Sequence, residues 1–185
     1  MRVAVTGTPG TGKTTTVEAA DTGLEVVHLN DLVREGDLSI GEDPDRGSIV
    51  ADLDAIADHL AGRQDVLVES HLAHHLDSDR VVVLRCHPES LRDRLRDRGE
   101  ARATPEWNAG SARPPRAPDN KARENAEAEA LDVVLSEAVA EHGREAVYEI
   151  DTTDRPPAAV AADLEAVVAG DREPTAGTVD FTDYL

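Results

Sequence analysis

Short apolar runs rich in valine alternate along the chain with segments of helical periodicity. The runs predict strands over residues 3–5, 25–29, 65–69, 80–85 and 146–150, and each is bounded by polar or turn residues, as buried parallel strands are. The intervening segments predict helices over residues 13–20, 49–61, 88–98, 122–141 and 157–169. This alternation predicts an α/β fold of three layers, with a five-stranded parallel sheet and helices on both faces.

Two stretches depart from this alternation. Residues 99–120 contain four prolines and little periodicity, so they predict a long surface loop, which in a compact domain is usually a functional lid or a disordered segment. Residues 170–185 form a polar, acidic tail, which we expect to be mobile unless Phe181 and Tyr184 dock. We therefore expect one domain over residues 1–169, a lid insertion near 98–121, and a flexible tail.

The composition excludes several classes of protein. The chain has 38 acidic and 19 basic residues, a formal net charge of −19, so its bulk would be repelled by nucleic acid and by anionic lipid. Only two bases are lysine, which favours a salt-adapted (halophilic) protein over an ordinary acidic one, because molar salt screens self-repulsion. A single cysteine, Cys86, excludes an internal disulfide. With no long apolar run and no signal peptide, we expect a cytoplasmic protein without a membrane partner.

The bases are concentrated in the middle of the chain. Residues 80–123 hold eleven bases and six acids, a charge of +5, while the other residues sum to −24. Mobile cations that close over a γ-phosphate would explain this concentration, and Arg98 is the strongest candidate. An ordinary solvated helix explains Arg92 and Arg96 equally well, because acids alternate with them.

The segment from Gly7 to Thr14 fits the phosphate-binding motif G-x-x-x-x-G-K-[ST] at every position. It follows an apolar strand and opens a helix, so backbone N–H groups and the helix N-terminus can face phosphate oxygens. Lys13 would reach the outer phosphates, and the Thr14 hydroxyl would be a ligand to Mg²⁺. This motif predicts nucleotide binding but does not distinguish a kinase from an ATPase or a GTPase.

The strand over residues 65–69 ends in Glu69, at the position where phosphate-loop proteins place the acid that holds Mg²⁺ or its waters. The alternative is an acid that faces solvent. His71 follows closely and is expected beside the phosphates. Together with His74 and His75 it also fits a zinc site, although packing explains His74 and His75 more simply.

Taken together, these residues identify the chain as similar to the P-loop nucleoside monophosphate kinases. It most resembles the adenylate kinase isoenzyme 6 type, over about residues 1–150. The matching stretches are TGTPGTGKTT (6–15), LNDLVREGDL (29–38), VESH (68–71), DRVVVLR (79–85), LRDRLRDRGE (91–100) and ENAEAEALDVVLSEA (124–138). The chain differs from the family in having glutamate for aspartate at 69, an insertion between Gly99 and Lys121, and the acidic tail.

The resemblance implies roles for individual residues. ATP would be held by Gly10, Gly12, Lys13, Thr14 and Thr15, with Arg98 on its phosphates. The monophosphate side would lie near residues 30–50, with Asp31 and Arg34. The pair Glu69 and His71 resembles the family's acid-x-His motif, which is associated with Mg²⁺ and nucleotide hydrolysis.

Three functions follow as hypotheses. The first is Mg²⁺-dependent transfer of the ATP γ-phosphate to a nucleoside monophosphate, expected to be AMP, so that ATP and AMP give two ADP. The second, implied by the resemblance, is an ATPase that binds a small-subunit ribosomal protein in the pre-30S particle during 16S rRNA maturation. The third is a nucleotide-gated binder of RNA or protein without turnover.

Overall fold

The computed structural model describes residues 1–36, 38–43, 48–101 and 117–185. The five predicted strands are confirmed: β1 (Arg2–Thr6), β2 (Glu25–His28), β5 (Val66–Glu69), β6 (Arg80–Arg85) and β7 (Val147–Asp151). They form one parallel sheet in the order β2-β5-β1-β6-β7. Because β1 is central, the motif that follows it lies at the middle of the carboxyl edge, where open α/β sheets bind their ligands.

Helices cover both faces of the sheet, as the three-layer prediction requires. They are α1 (Lys13–Ala19), α2 (Leu29–Glu35), α3 (Leu53–Leu60), α4 (Pro88–Ala101), α5 (Ala117–Ala130), α6 (Val133–His142) and α7 (Pro157–Ala169). Alternate residues of β5 enter different cores: Val66 and Val68 pack with Ile56 of α3, whereas Leu67 packs with Leu164 of α7. In the part of the chain that the structure describes, no helix is both long enough and apolar enough to span a bilayer.

The predicted helix over residues 49–61 is wrong in its first part. Strand β4 (Ser48–Ala51) instead pairs antiparallel with β3 (Ser39–Asp43) in a separate two-stranded sheet. Helix α3 begins only after Asp52, whose carboxylate accepts a hydrogen bond from the Ala55 N–H at 3.0 Å. The N-cap signal of Asp52 therefore sets the start of the helix, and the β-branched residues before it form a strand.

The predicted single helix over residues 122–141 is also wrong, because α5 and α6 are separated at Asp132. This residue has a left-handed backbone with φ of +54°, and its carboxylate contacts Arg85 of β6. A left-handed non-glycine residue costs about 1–2 kcal/mol. A charge-assisted contact with a buried arginine can offset that cost.

The predicted loop over residues 99–120 is shorter than expected at both ends. Helix α4 continues to Ala101, α5 begins at Ala117, and the two helices pack against each other. The remaining part of the predicted lid, with Arg102, Arg113 and Arg116, lies outside the described residues.

The tail meets the condition under which we expected it to be held. Phe181 is buried, 5.4 Å from the His87 ring and 5.5 Å from the Arg85 guanidinium, measured to its centroid. The Thr178 N–H donates to Glu149 of β7 at 2.7 Å. The aromatic ring and the backbone of the tail therefore both contact the body of the domain.

Candidate functional site

The phosphate-binding loop connects β1 to α1 at the carboxyl edge of the sheet. Gly7 has φ of +138°, and a Cβ there would lie 2.4 Å from the backbone oxygen of Leu84. Gly12 caps α1 with φ of +95°. Only glycine adopts such backbone conformations at low cost, so the spacing of the motif corresponds to the positions where the chain turns.

Lys13 is buried within the curve of this loop. Its Nζ donates to the carbonyls of Gly7 at 2.8 Å and Thr8 at 3.1 Å. Burial lowers the pKa of Lys13 to about 8, against the opposing effect of the carboxylates of Glu69 and Glu129. An anionic partner strongly stabilises the charged form of a lysine that is this poorly solvated.

Thr14 and Glu69 meet at the same edge of the sheet. Glu69 is buried, and its Oε2 lies 3.4 Å from the Thr14 hydroxyl, which donates to it. The same oxygen lies 3.0 Å from Nδ1 of His28, the register partner of Glu69 on β2. A hydroxyl and a carboxylate are the oxygen ligands that Mg²⁺ takes from proteins. These two residues can therefore hold Mg²⁺ directly or through its waters.

His28 was missed from the sequence, since only strand adjacency places it beside Glu69. His71, which was predicted, lies on the turn after β5. Partial burial of its ring lowers the pKa of His71, and the positive charge of Lys13 lowers it further. The Thr6 hydroxyl donates to the His71 carbonyl at 3.3 Å, so His71 lies beside the residue that precedes the phosphate loop.

A cavity of about 430 Å³ opens beside the phosphate loop. Gly10, Gly12 and Thr15, predicted to hold ATP, line it together with Arg98 of α4. Two further arginines line it that the sequence did not single out. Of these, Arg94 donates to the Thr152 carbonyl at 2.8 Å, and Arg155 donates to the Asp151 carbonyl at 3.0 Å. Among the described residues that line it, Asp97 is the one acid, and three are arginines, so this cavity suits an anionic ligand.

The predicted monophosphate residues are not among the described residues that line this cavity. Asp31 and Arg34 form an exposed ion pair on α2, 3.7 Å apart. Helix α2 directly follows β2, so it begins at the carboxyl edge near Glu69. The contact described for these two side chains is with each other, and their role at the monophosphate stays a prediction.

A buried ionic cluster behind the loop is the main feature that the sequence did not indicate. Arg85 is 1% exposed, and its guanidinium contacts Glu129 at 2.7 Å, Glu149 at 2.5 Å, and Asp132. Glu129 also accepts hydrogen bonds from the Thr8 hydroxyl and, at 3.2 Å, from the backbone N–H that follows Arg85. This cluster therefore ties the phosphate loop to α5 and β6.

The position of Arg85 corrects the charge interpretation of the basic middle segment. Arg85 forms ion pairs in the protein interior. Arg80 donates to the backbone carbonyls of Val167 and Val168 at the end of α7. Two of the eleven bases thus stabilise packing, and among those that the structure describes Arg94 and Arg98 line the cavity.

Comparisons with known proteins are consistent with this site. A protein-family model described as "AAA domain" matches residues 3–132. A protein of Natronomonas pharaonis named "Putative adenylate kinase" is 62% identical over the full length of both chains. Proteins of the same name from Halobacterium salinarum and Methanothermobacter thermautotrophicus are 61% and 41% identical, each covering 98% or more of both chains. A solved sugar kinase from Janibacter sp. has a TM-score of 0.49 at 17% identity, covering 91% of this chain and 94% of the other, a likeness too weak to inform the chemistry.

Proposed function

The chain belongs to the family of archaeal proteins named "Putative adenylate kinase", and on that premise we propose that it transfers the γ-phosphate of ATP to AMP. The observation that carries the proposal is the convergence of Lys13, Thr14 and Glu69 beside a cavity rich in arginine. Phosphoryl transfer needs mainly positioning and charge neutralisation, and these residues supply both.

Each group has a role that follows from its place. The loop N–H groups and Lys13 bind the phosphates, while Arg94 and Arg98 contribute positive charge from α4. Thr14 and Glu69 would hold Mg²⁺ directly or through its waters, and the ion would supply positive charge that neutralises the phosphates. His28 orients Glu69 through its 3.0 Å contact. No side chain needs to become covalently modified.

The acceptor side is assigned to residues 30–50. Asp31 and Arg34 would approach the monophosphate from α2. Arg34 would then release its exposed ion pair with Asp31 and bind the phosphate. A guanidinium binds phosphate in bidentate geometry, which favours this exchange over a weak surface ion pair.

The test compares a base in the phosphate loop with a base outside it. Purified protein in high salt receives Mg-ATP with and without AMP, and ADP and free phosphate are measured. We expect ADP only when AMP is present, loss of turnover in Lys13→Ala, and normal turnover in Arg63→Ala, since Arg63 forms an ion pair with Glu25 at the amino end of β2. Normal turnover in Lys13→Ala would contradict the assignment of the site.

We propose an ATPase acting in maturation of the small ribosomal subunit as the second candidate function. The observation in its favour is the position of His71, two residues after Glu69, where its carbonyl accepts from the hydroxyl of Thr6 next to the phosphate loop. From there its imidazole would orient a water toward the phosphates. The acidic surface would suit a basic ribosomal protein, and the arginines of α4 need not repel RNA. Phosphate release without AMP, raised by such a protein and lost in His71→Ala, would support this candidate. Release equal to a buffer blank would exclude it.

We also propose that the chain works in a salt-rich cytoplasm, because 38 acidic residues repel each other strongly at low ionic strength. The midpoint of thermal unfolding should rise between 0.1 M and about 2 M KCl. A midpoint that does not depend on salt would contradict this adaptation.

A further inference from the structure

The two histidines that follow His71 lie against α6, on a turn of 3-10 helix over Ala73–His75. One ring nitrogen of His74, one of His75 and one carboxylate oxygen of Glu137 all lie within 4.8 Å of one another. His74 is almost fully buried, and its Nε2 is 3.1 Å from Glu137 Oε2. His75 and Glu137 are partly exposed, so an ion can reach this group from solvent.

The Nδ1 atom of each histidine also contacts an oxygen atom. The Nδ1 of His74 is 2.9 Å from the Thr6 hydroxyl. The Nδ1 of His75 is 2.6 Å from Oε1 of Glu141, which lies one turn beyond Glu137 on α6. Metal-binding histidines are commonly oriented in this way, by an oxygen on the ring nitrogen that does not bind the metal.

We propose that His74, His75 and Glu137 form a binding site for a divalent transition-metal ion of the Zn²⁺ type, with Thr6 and Glu141 orienting the two imidazoles. Two imidazoles and one carboxylate are a ligand set that Zn²⁺ accepts, leaving one position for water. Mg²⁺ is disfavoured because it requires oxygen ligands.

The spacing of the three groups is compatible with such an ion. Ligands bound to one Zn²⁺ at about 2.0–2.1 Å lie roughly 3.4 Å apart in a tetrahedron. The separations here need to close by no more than about an ångström and a half. The Glu137 side chain is 48% exposed, so it can change rotamer to make that adjustment.

This site is separate from the one assigned to Mg²⁺, but it adjoins the same elements. Thr6 is the last residue of β1 and precedes Gly7 of the phosphate loop, and the histidine turn follows the segment that carries Glu69 and His71. An ion here would join α6 to that segment. We expect it to stabilise the domain, since a ligand that binds only the native state raises its free energy of unfolding.

The site also changes the interpretation of the histidine group in the sequence. His71 is near Lys13, whereas His74 and His75 contact the carboxylates of α6. Cys86 and His87 follow these histidines in the sequence and are also of ligand type, but they make other contacts: Cys86 is buried, and His87 packs against Phe181. The carboxylates of α6, more than 60 residues away in sequence, complete the ligand set.

The test is metal binding measured by isothermal titration with Zn²⁺, in the presence of saturating Mg-ATP to occupy the nucleotide site. Glu137→Gln and His75→Ala remove ligands at partly exposed positions, and their unfolding without metal checks that they fold. His59→Ala, an exposed histidine on α3, is the matched control. We expect one Zn²⁺ per wild-type chain, and dissociation constants raised more than about tenfold in both ligand variants but unchanged in the control.

Two further readouts locate the ion. Co²⁺ substituted for Zn²⁺ should give a visible absorption band that is lost in Glu137→Gln, and Zn²⁺ should raise the unfolding midpoint of the wild type but not of that variant. Wild-type affinity in both ligand variants, or the absence of saturable binding, would overturn the site. Loss of Zn²⁺ binding only in Glu69→Gln would likewise overturn it, by placing the ion at the nucleotide site.

Discussion

The buried cluster behind the phosphate loop leads to the most demanding prediction. Replacing Glu129 by glutamine keeps the shape of the side chain but removes its charge. In the native protein this carboxylate accepts from Arg85 Nε at 2.7 Å, from the Cys86 N–H at 3.2 Å, and from the Thr8 hydroxyl. Glutamine has only one side-chain oxygen. Its NH₂ group must therefore face either the N–H donors of Arg85 and Cys86 or the hydroxyl of Thr8.

The magnitude follows from the charges that surround Arg85. Removing one partner of a buried ion pair commonly costs about 3–5 kcal/mol, because a buried charge is left unpaired. Here Arg85 keeps Glu149 and Asp132, and the cluster changes from a net charge of −2 to −1, so repulsion among the acids falls. We therefore expect Glu129→Gln to lower the free energy of unfolding by about 2 kcal/mol, the value of one charge-assisted hydrogen bond.

The assay is reversible denaturation of wild type, Glu129→Gln and Glu127→Gln in molar KCl. Glu127 lies on the same helix, 50% exposed and 3.6 Å from Arg123, so its substitution should cost less than about 0.5 kcal/mol. For a chain of this size, a loss of about 2 kcal/mol lowers the unfolding midpoint by roughly 4–8 °C. Molar salt screens the exposed pair but not the buried one.

Equal effects of the two substitutions would refute the reasoning, since Glu129 would then behave as a surface acid. The same experiment tests the link to the loop, because Glu129→Gln should also weaken ATP binding by releasing Thr8. ATP affinity equal to that of the wild type would show that the loop holds its shape without this anchor.

Three further predictions concern the loop and the tail. The pKa of Lys13 is about 8, so its charge is present below that pH and lost above it. ATP affinity measured from pH 7 to 10 should therefore fall above pH 8, and an affinity that does not change with pH would contradict this. Gly7→Ala should abolish ATP binding, because its Cβ would lie 2.4 Å from the Leu84 oxygen, and tight binding to the variant would be incompatible with that contact. Phe181→Ala should lower the free energy of unfolding, measured by chemical denaturation, by about 3 kcal/mol. A change below about 0.5 kcal/mol would mean that the tail does not dock.

Local signals were sufficient for much of the fold. Valine-rich runs predicted all five strands of the parallel sheet because a strand buried on both faces must be apolar along its whole length. The two errors in helix boundaries have different origins. The cap signal of Asp52 is local and present in the sequence, whereas the left-handed Asp132 depends on Arg85, 47 residues away.

The residues of the candidate site likewise differ in whether a local sequence pattern predicts them. Lys13 and Thr14 were predictable because the motif is contiguous, and one loop of backbone sets the position of each side chain. Glu69 was predictable because strand ends of a parallel sheet share one edge. Asp31 and Arg34 came from resemblance alone, and the structure leaves them as an exposed pair on α2.

The sequence by itself determined which segments form the parallel sheet, where phosphate can bind, and that the chain resembles a nucleotide kinase, because these depend on neighbours within a few residues. Only the tertiary structure decided that Arg85 is an interior ion, that His28 contacts Glu69, and that His74 and His75 meet carboxylates of α6. Those pairs join residues 41 to 66 positions apart, and no local pattern records them. They exist because burial of the strands and helices brings those positions together, and because polar groups brought into the interior need partners.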